Sequence, residues 1–147
     1  MHKLYISLGA NLGNKEETMH RAIALINERV GSVLRTSSFI ETEPWGFQSE
    51  NTFLNAAVRV ETELSPNALL HVTQQIEREM GRTEKSTVNP QLSTVTYHDR
   101  IIDIDILLYD DLHINTKKLI IPHPHMYERD FVLIPLKEIL LTNNTKQ

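Results

Sequence analysis

Two aspartates two residues apart, Asp103 and Asp105, lie within an otherwise apolar stretch, Arg100-Ile-Ile-Asp-Ile-Asp-Ile-Leu-Leu-Tyr109. The β-branched and aromatic content and the length predict a central strand, closed by the turn-like pair Asp110-Asp111. Side chains alternate along a strand, so Ile102, Ile104 and Ile106 share one face while Ile101, Asp103, Asp105 and Leu107 share the other. The acids would stand roughly 6.6 Å apart at Cα, close enough to converge on two ions about 3.5 to 4 Å apart. Oxygen ligands of this kind suit magnesium, with substrate phosphates completing its shell. The alternative is an edge strand whose acids simply face water. Ile101 and Leu107 weigh against it, because an ionised carboxylate on a partly apolar face is costly unless paired or metal-bound. Arg100, at the strand's entrance, is one candidate partner.

Composition narrows the setting. A chain of 147 residues, 40% of them apolar, can bury the core of one domain, here 1–147 with 142–147 as a polar tail. The formal charge of -4 argues against a general nucleic-acid binder. There is no Cys, hence no disulfide and no thiolate metal site. Neither a signal peptide nor an apolar run of membrane-spanning length is present, so a cytoplasmic, soluble protein away from membranes is expected, working as a monomer.

The elements that must position the acids follow from periodicity. Leu4 to Leu8 reads as a first strand and Gly9 to Asn14 as the turn that ends it. Asn14 and Glu17 fit a helix cap, and Met19, Ala22, Ile23, Ile26 and Val30 form one apolar stripe that Gly31 is expected to terminate. Ser32 to Thr42 predicts a strand, and 42 to 52 a long loop carrying Trp45 and Phe47. Such loops in compact domains tend to be functional. Phe53 to Thr62 predicts a third strand with Phe53, Asn55, Ala57 and Arg59 on one face. Ser65-Pro66 opens a second helix, striped by Leu69, Val72, Thr73, Ile76 and Met80 and ended by Gly81. Gln74 and Glu77 share one side of it, where a solvated surface is the simplest expectation. Thr83 to His98 is an irregular polar segment, either a lid over the acidic strand or an ordinary insertion. A hairpin through 110–118, a short apolar run 119–121, Pro122-His-Pro-His125 and a partly helical 131–141 complete the chain. His123 and His125 are too few for a structural zinc site, whereas His123 and Arg129 could serve a phosphate.

Strand, helix, strand, strand, helix, strand is the order of an α+β, ferredoxin-like βαββαβ sandwich with extra C-terminal elements. Its antiparallel sheet would carry two helices on one face and leave the other free for a site.

The motifs also form a family pattern. The run 99–109 resembles the signature of the 6-hydroxymethyl-7,8-dihydropterin pyrophosphokinases. So do Ser-Leu-Gly-Ala-Asn-Leu-Gly-Asn (7–14), Glu-Thr-Glu-Pro-Trp-Gly (41–46), Phe-Leu-Asn-Ala-Ala-Val (53–58), Ile-Glu-Arg-Glu-Met-Gly-Arg (76–82), and Ile-Pro-His-Pro (121–124) with the Arg-Asp-Phe-Val-Leu-Ile-Pro-Leu of 129–136. The resemblance implies pyrophosphoryl transfer from ATP to the pterin hydroxymethyl group in folate biosynthesis, leaving AMP, with two Mg2+ ions. It makes Asp103 and Asp105 the metal ligands and Arg82 and Arg100 catalytic arginines. Gln74, Glu77, Lys85, His123 and Arg129 fall to ATP. The pterin falls between Phe53 and Phe131, its edge read by Asn55 and the segment holding Thr42, Pro44 and Trp45. Two rivals are a different two-metal transferase on the same scaffold and a non-catalytic ferredoxin-like sensor.

Overall fold

A computed structural model describes residues 1–42, 52–81, 102–124, 126 and 128–144. Strand β1 (His2–Ala10) is flanked on both sides, by β4 (Phe53–Thr62) and by β5 (Asp103–Tyr109), and β2 (Gly31–Thr36) lies beyond β4. The short β3 (Ile40–Thr42) also pairs with β4. Every pairing is antiparallel. Helices α1 (Lys15–Arg29) and α2 (Pro66–Glu79) link strands that each skip one neighbour, as the ferredoxin-like order requires. A two-stranded ribbon, β6 (Ile114–Asn115) with β7 (Ile120–Ile121), and helix α3 (Asp130–Asn144) follow.

The caps form where the sequence predicts them. Asn14 Oδ1 accepts from Glu17 N at 3.1 Å, and Ser65 Oγ from Ala68 N at 3.3 Å. Gly81 takes the left-handed conformation, φ 108°, that ends α2. Gly31 does something else. It opens β2 rather than capping α1, and a Cβ there would run into the backbone carbonyl of Glu61 on β4. Its glycine is needed for that close approach.

The expected strand 32–42 is broken in two. Ser37 Oγ accepts from Ala57 N at 2.9 Å, while Ser38 N donates to the Glu138 carboxylate of α3, also at 2.9 Å. Ser37 N still donates to Ala57 O at 2.9 Å, but the return bond goes to the Ser37 hydroxyl and Ser38 turns to Glu138, so the regular ladder ends there. Strand β1 runs on through Gly9 and Ala10, two residues past its expected end, and α3 continues to Asn144 rather than stopping at 141.

Two cores result. Leu4, Ile6 and Leu8 of β1 and Ile104 and Ile106 of β5 pack under Met19 and Ile26 of α1 and Leu69 and Ile76 of α2. On the opposite face Tyr5, Ala57 and Leu107 pack against Met126 and against Val132, Leu136 and Ile139 of α3. That face is therefore covered in part, not free. Val132, Leu136 and Ile139 form one helical stripe, each contributing about 1.5 to 3 kcal/mol on burial.

Candidate active site

Among the described residues, the site lies where α3 leaves the second face uncovered. Antiparallel partners directly opposite one another point to the same side. Gly9 stands opposite Asn55 on β4 and opposite Asp103 on β5; two residues back, Ser7 stands opposite Ala57 and Asp105. Asn55, Gly9 and Asp103 thus make one row across three strands, with Asp105 in the next. Gly9 contributes no side chain, so the row has a gap in its middle. A Cβ placed there would come within 3.0 Å of Asn55 Oδ1 and 3.8 Å of the Phe53 ring. An in-strand glycine of this kind marks close approach by something else.

Asn55 is buried, and its Nδ2 donates to Thr42 Oγ1 at 2.7 Å. One amide hydrogen is thereby fixed, which also fixes the carbonyl direction. Phe53 shares the face of Asn55, and Phe131, the second residue of α3, packs against the cluster on that face. The Arg129 guanidinium stands 5.7 Å from the Phe131 ring centroid.

Strand β5, expected to be central, stands instead at the edge of the sheet among the described strands. Asp103 and Asp105 with Gln74 and Glu77 of α2 line a cleft of about 330 Å3 along it. A second cleft, about 250 Å3, shares Leu70, Ile104 and Asp105 and continues past Lys117, Lys118, Leu119 and His123. His123 is held there by its own backbone, its N–H donating to Leu107 O at 3.1 Å. Glu77 departs from the expected solvated surface. It is 8% exposed, and its Oε2 accepts from the backbone N–H of Ile104 at 2.7 Å.

Burial pushes the Asp105 carboxyl well above the usual carboxylate range, the charges of Asp103 and Glu77 push it further, and Arg129 opposes them. Three carboxylates thus crowd one another here, a repulsion that a divalent cation relieves. Among the described residues no three acidic or imidazole side chains converge on one point. The two aspartates fit an ion that takes much of its shell from phosphate and water oxygens, as magnesium does.

Of the expected site residues, Gln74, Glu77, Asp103, Asp105 and His123 meet along the outer edge of β5, with Arg129 close enough to influence Asp105. Thr42, Phe53 and Asn55 meet across the gap at Gly9. Pro44, Trp45, Arg82, Lys85 and Arg100, and the proposed lid 83–98, lie outside the described residues. Sequence reasoning missed Gly9, read as part of a turn, and Lys117 and Lys118, read as a plain hairpin. A glycine preceded by alternating Leu4, Ile6 and Leu8 was the available signal for the first.

Fold and cleft define the class, an α+β protein of ferredoxin-like build with two aspartates in a cleft at the edge of its sheet. The profile described as 7,8-dihydro-6-hydroxymethylpterin-pyrophosphokinase (HPPK) matches residues 5–141, and the chain belongs to that family. It is 47% identical over 137 residues to the 2-amino-4-hydroxy-6-hydroxymethyldihydropteridine pyrophosphokinase of Porphyromonas gingivalis, covering 92% of this chain and 89% of that one. Identity to the enzyme of the same name from Bacillus subtilis is 45%, covering 92% and 76%. A solved Plasmodium falciparum HPPK-DHPS structure superposes with a TM-score of 0.72 at 17% identity, which supports the fold. The match takes in 94% of this chain but 39% of that one, so the chain spans about two fifths of the solved protein.

Proposed function

We infer that this chain transfers the pyrophosphoryl group of ATP to the hydroxymethyl oxygen of 6-hydroxymethyl-7,8-dihydropterin, yielding AMP and the pterin diphosphate in folate biosynthesis. The hydroxymethyl oxygen attacks the β-phosphorus and gives up its proton. The bond from that phosphorus to the α–β bridging oxygen breaks, and AMP departs. The row Asn55, Gly9, Asp103 carries the reading, because it sets a ring-reading amide and a cation-holding acid on either side of one glycine.

Asp103 and Asp105 would hold Mg2+, two ions being expected, which when bound supplies positive charge against the triphosphate. Such transfer asks mainly for alignment and for cations where charge develops. His123 and Arg129 serve the phosphates beside Asp105, and Gln74 and Glu77 belong to the nucleotide side. The cleft between Leu70, Ile106 and Leu119, with Lys117 and Lys118 at its rim, has the apolar walls and basic margin that suit the nucleoside end of ATP. Phe53 and Phe131 flank the flat pterin, and Asn55, held by Thr42, reads its edge; Pro44 and Trp45 join them by family resemblance. Arg82, Arg100 and Lys85 complete the cationic side on the same ground. Residues 1–147 work as one domain, a cytoplasmic monomer acting on two small molecules and on neither nucleic acid nor membrane; no helix among the described residues is long and apolar enough to span one.

Incubating the protein with ATP, Mg2+ and the reduced pterin tests the reading. AMP should form when all three are present, and AMP formation that ignores the pterin would overturn it.

A further inference from the structure

We propose that Glu77 is a positioning residue for the two aspartates: its carboxylate grips the peptide between them and sets the pleat on which both are carried. The proposal rests on the reading that Asp103 and Asp105 hold divalent cations.

β5 is an edge strand, paired with β1 along one side alone among the described strands. The outward N–H of Ile104 would ordinarily be left to water, and an edge held on one side is free to twist. Here a carboxylate from α2 takes that N–H at 2.7 Å, the length of a charge-assisted bond. Glutamate is almost never this buried unless its charge is matched by donors. Ile104 is itself buried, its side chain locked in the core beneath α2. The peptide plane is therefore fixed by packing on one side and by Glu77 in the plane of the sheet.

Both aspartates neighbour that residue. Any rotation of the peptide at Ile104 swings Asp103 and Asp105 together, altering the angle at which their oxygens meet an ion. Glu77 lines the same cleft, yet the three carboxylates do not converge on one point. Its Oε2 is committed to the backbone. The geometry is that of a partner orienting ligands rather than of a third ligand, and loss of such partners typically lowers metal affinity by about 10- to 100-fold.

Two substitutions in the full chain separate the possibilities. Glu77→Gln keeps an oxygen able to accept from Ile104 N, and Glu77→Met keeps the volume but offers no acceptor; Glu77→Ala serves should the Met variant fail to fold. Mn2+ binding in the presence of a non-hydrolysable ATP analogue is followed by electron paramagnetic resonance, and exchange of the Ile104 amide by NMR. Glu77→Met is expected to weaken Mn2+ binding about tenfold or more and to speed Ile104 exchange, with Glu77→Gln recovering most of both. A Gln variant as impaired in Mn2+ binding as Met would mean that the charge acts directly, and the proposal falls. So it does if the Met variant binds Mn2+ as the unaltered chain does. If the unaltered chain holds no Mn2+ beside nucleotide, the cation reading itself is wrong and takes this role with it.

Discussion

The Asn55 side-chain nitrogen donates to the hydroxyl oxygen of Thr42 over 2.7 Å, across the pair β3 and β4. The bond holds the plane of the amide against β3, which an unanchored side chain would leave free to turn. Thr42→Val should therefore raise the pterin KM several-fold while leaving the ATP KM alone. Asn55→Ala, which removes the proposed reading group itself, should cost about 10- to 100-fold in kcat/KM for the pterin, the loss of one or two hydrogen bonds. Steady-state kinetics with each substrate varied in turn would show the split; equal effects on ATP would move Asn55 out of the acceptor site.

Gly9 makes a sharper steric prediction. Its φ is not positive, so Gly9→Ala suffers no backbone strain, but the new Cβ would sit 3.0 Å from Asn55 Oδ1 and fill the gap. Pterin affinity measured by calorimetry should fall at least tenfold, with a melting temperature within a few degrees of the original. Undiminished affinity would show that the ligand does not use this gap.

Lys15, the first residue of α1, reaches back to tie β3 to the start of β4. Its Nζ lies 3.2 Å from Glu41 Oε2 and 3.1 Å from both the carbonyl and the hydroxyl oxygen of Thr52. Glu41 is largely exposed, so the tie contributes little to stability. Lys15→Met should barely shift thermal unfolding yet raise the pterin KM a few-fold, because Thr42 follows Glu41 directly. The comparison is kinetic against calorimetric, and a large loss of stability with unchanged KM would contradict it.

Asp110 sets a pH dependence. Its carboxyl is held below the ordinary value of 3.8, first by the backbone N–H of Lys3 and then by His2, which lies 2.8 Å away. A depressed carboxyl stabilises the fold fully above its unfolded value and loses that contribution as pH falls through its lower folded one. Asp110 has φ 50°, a conformation asparagine tolerates, so Asp110→Asn is a clean comparison. The melting-temperature advantage of the unaltered protein should shrink below about pH 4 and vanish once the carboxyl is protonated. An advantage that persisted in strong acid would assign it to something other than charge.

Much of this arrangement is legible in the chain itself. Strand alternation alone puts Asp103 and Asp105 on one side, and the apolar stripes of α1 and α2 announce which sheet face they cover. What periodicity does not contain is the partner from elsewhere. Glu77 reads as surface because its helix says nothing about the β5 edge lying against it, 27 residues on. Ser38 reads as strand because Glu138, its distant anchor, is 100 residues away. Gly31 reads as a cap because a terminating glycine and one squeezed against the neighbouring Glu61 look alike in one dimension. The acids and their spacing are local properties; the covering of the second face by α3 is not.

The most direct measurement is chromatographic analysis of nucleotide products from ATP, Mg2+ and 6-hydroxymethyl-7,8-dihydropterin, with the unaltered chain beside Asp103→Asn and Asp105→Asn. AMP in step with pterin diphosphate, lost by a factor on the order of 10³ or more in each variant with the fold intact by circular dichroism, is the predicted result. ADP as the product, or full turnover in either variant, would contradict the assignment of these two carboxylates to pyrophosphoryl transfer.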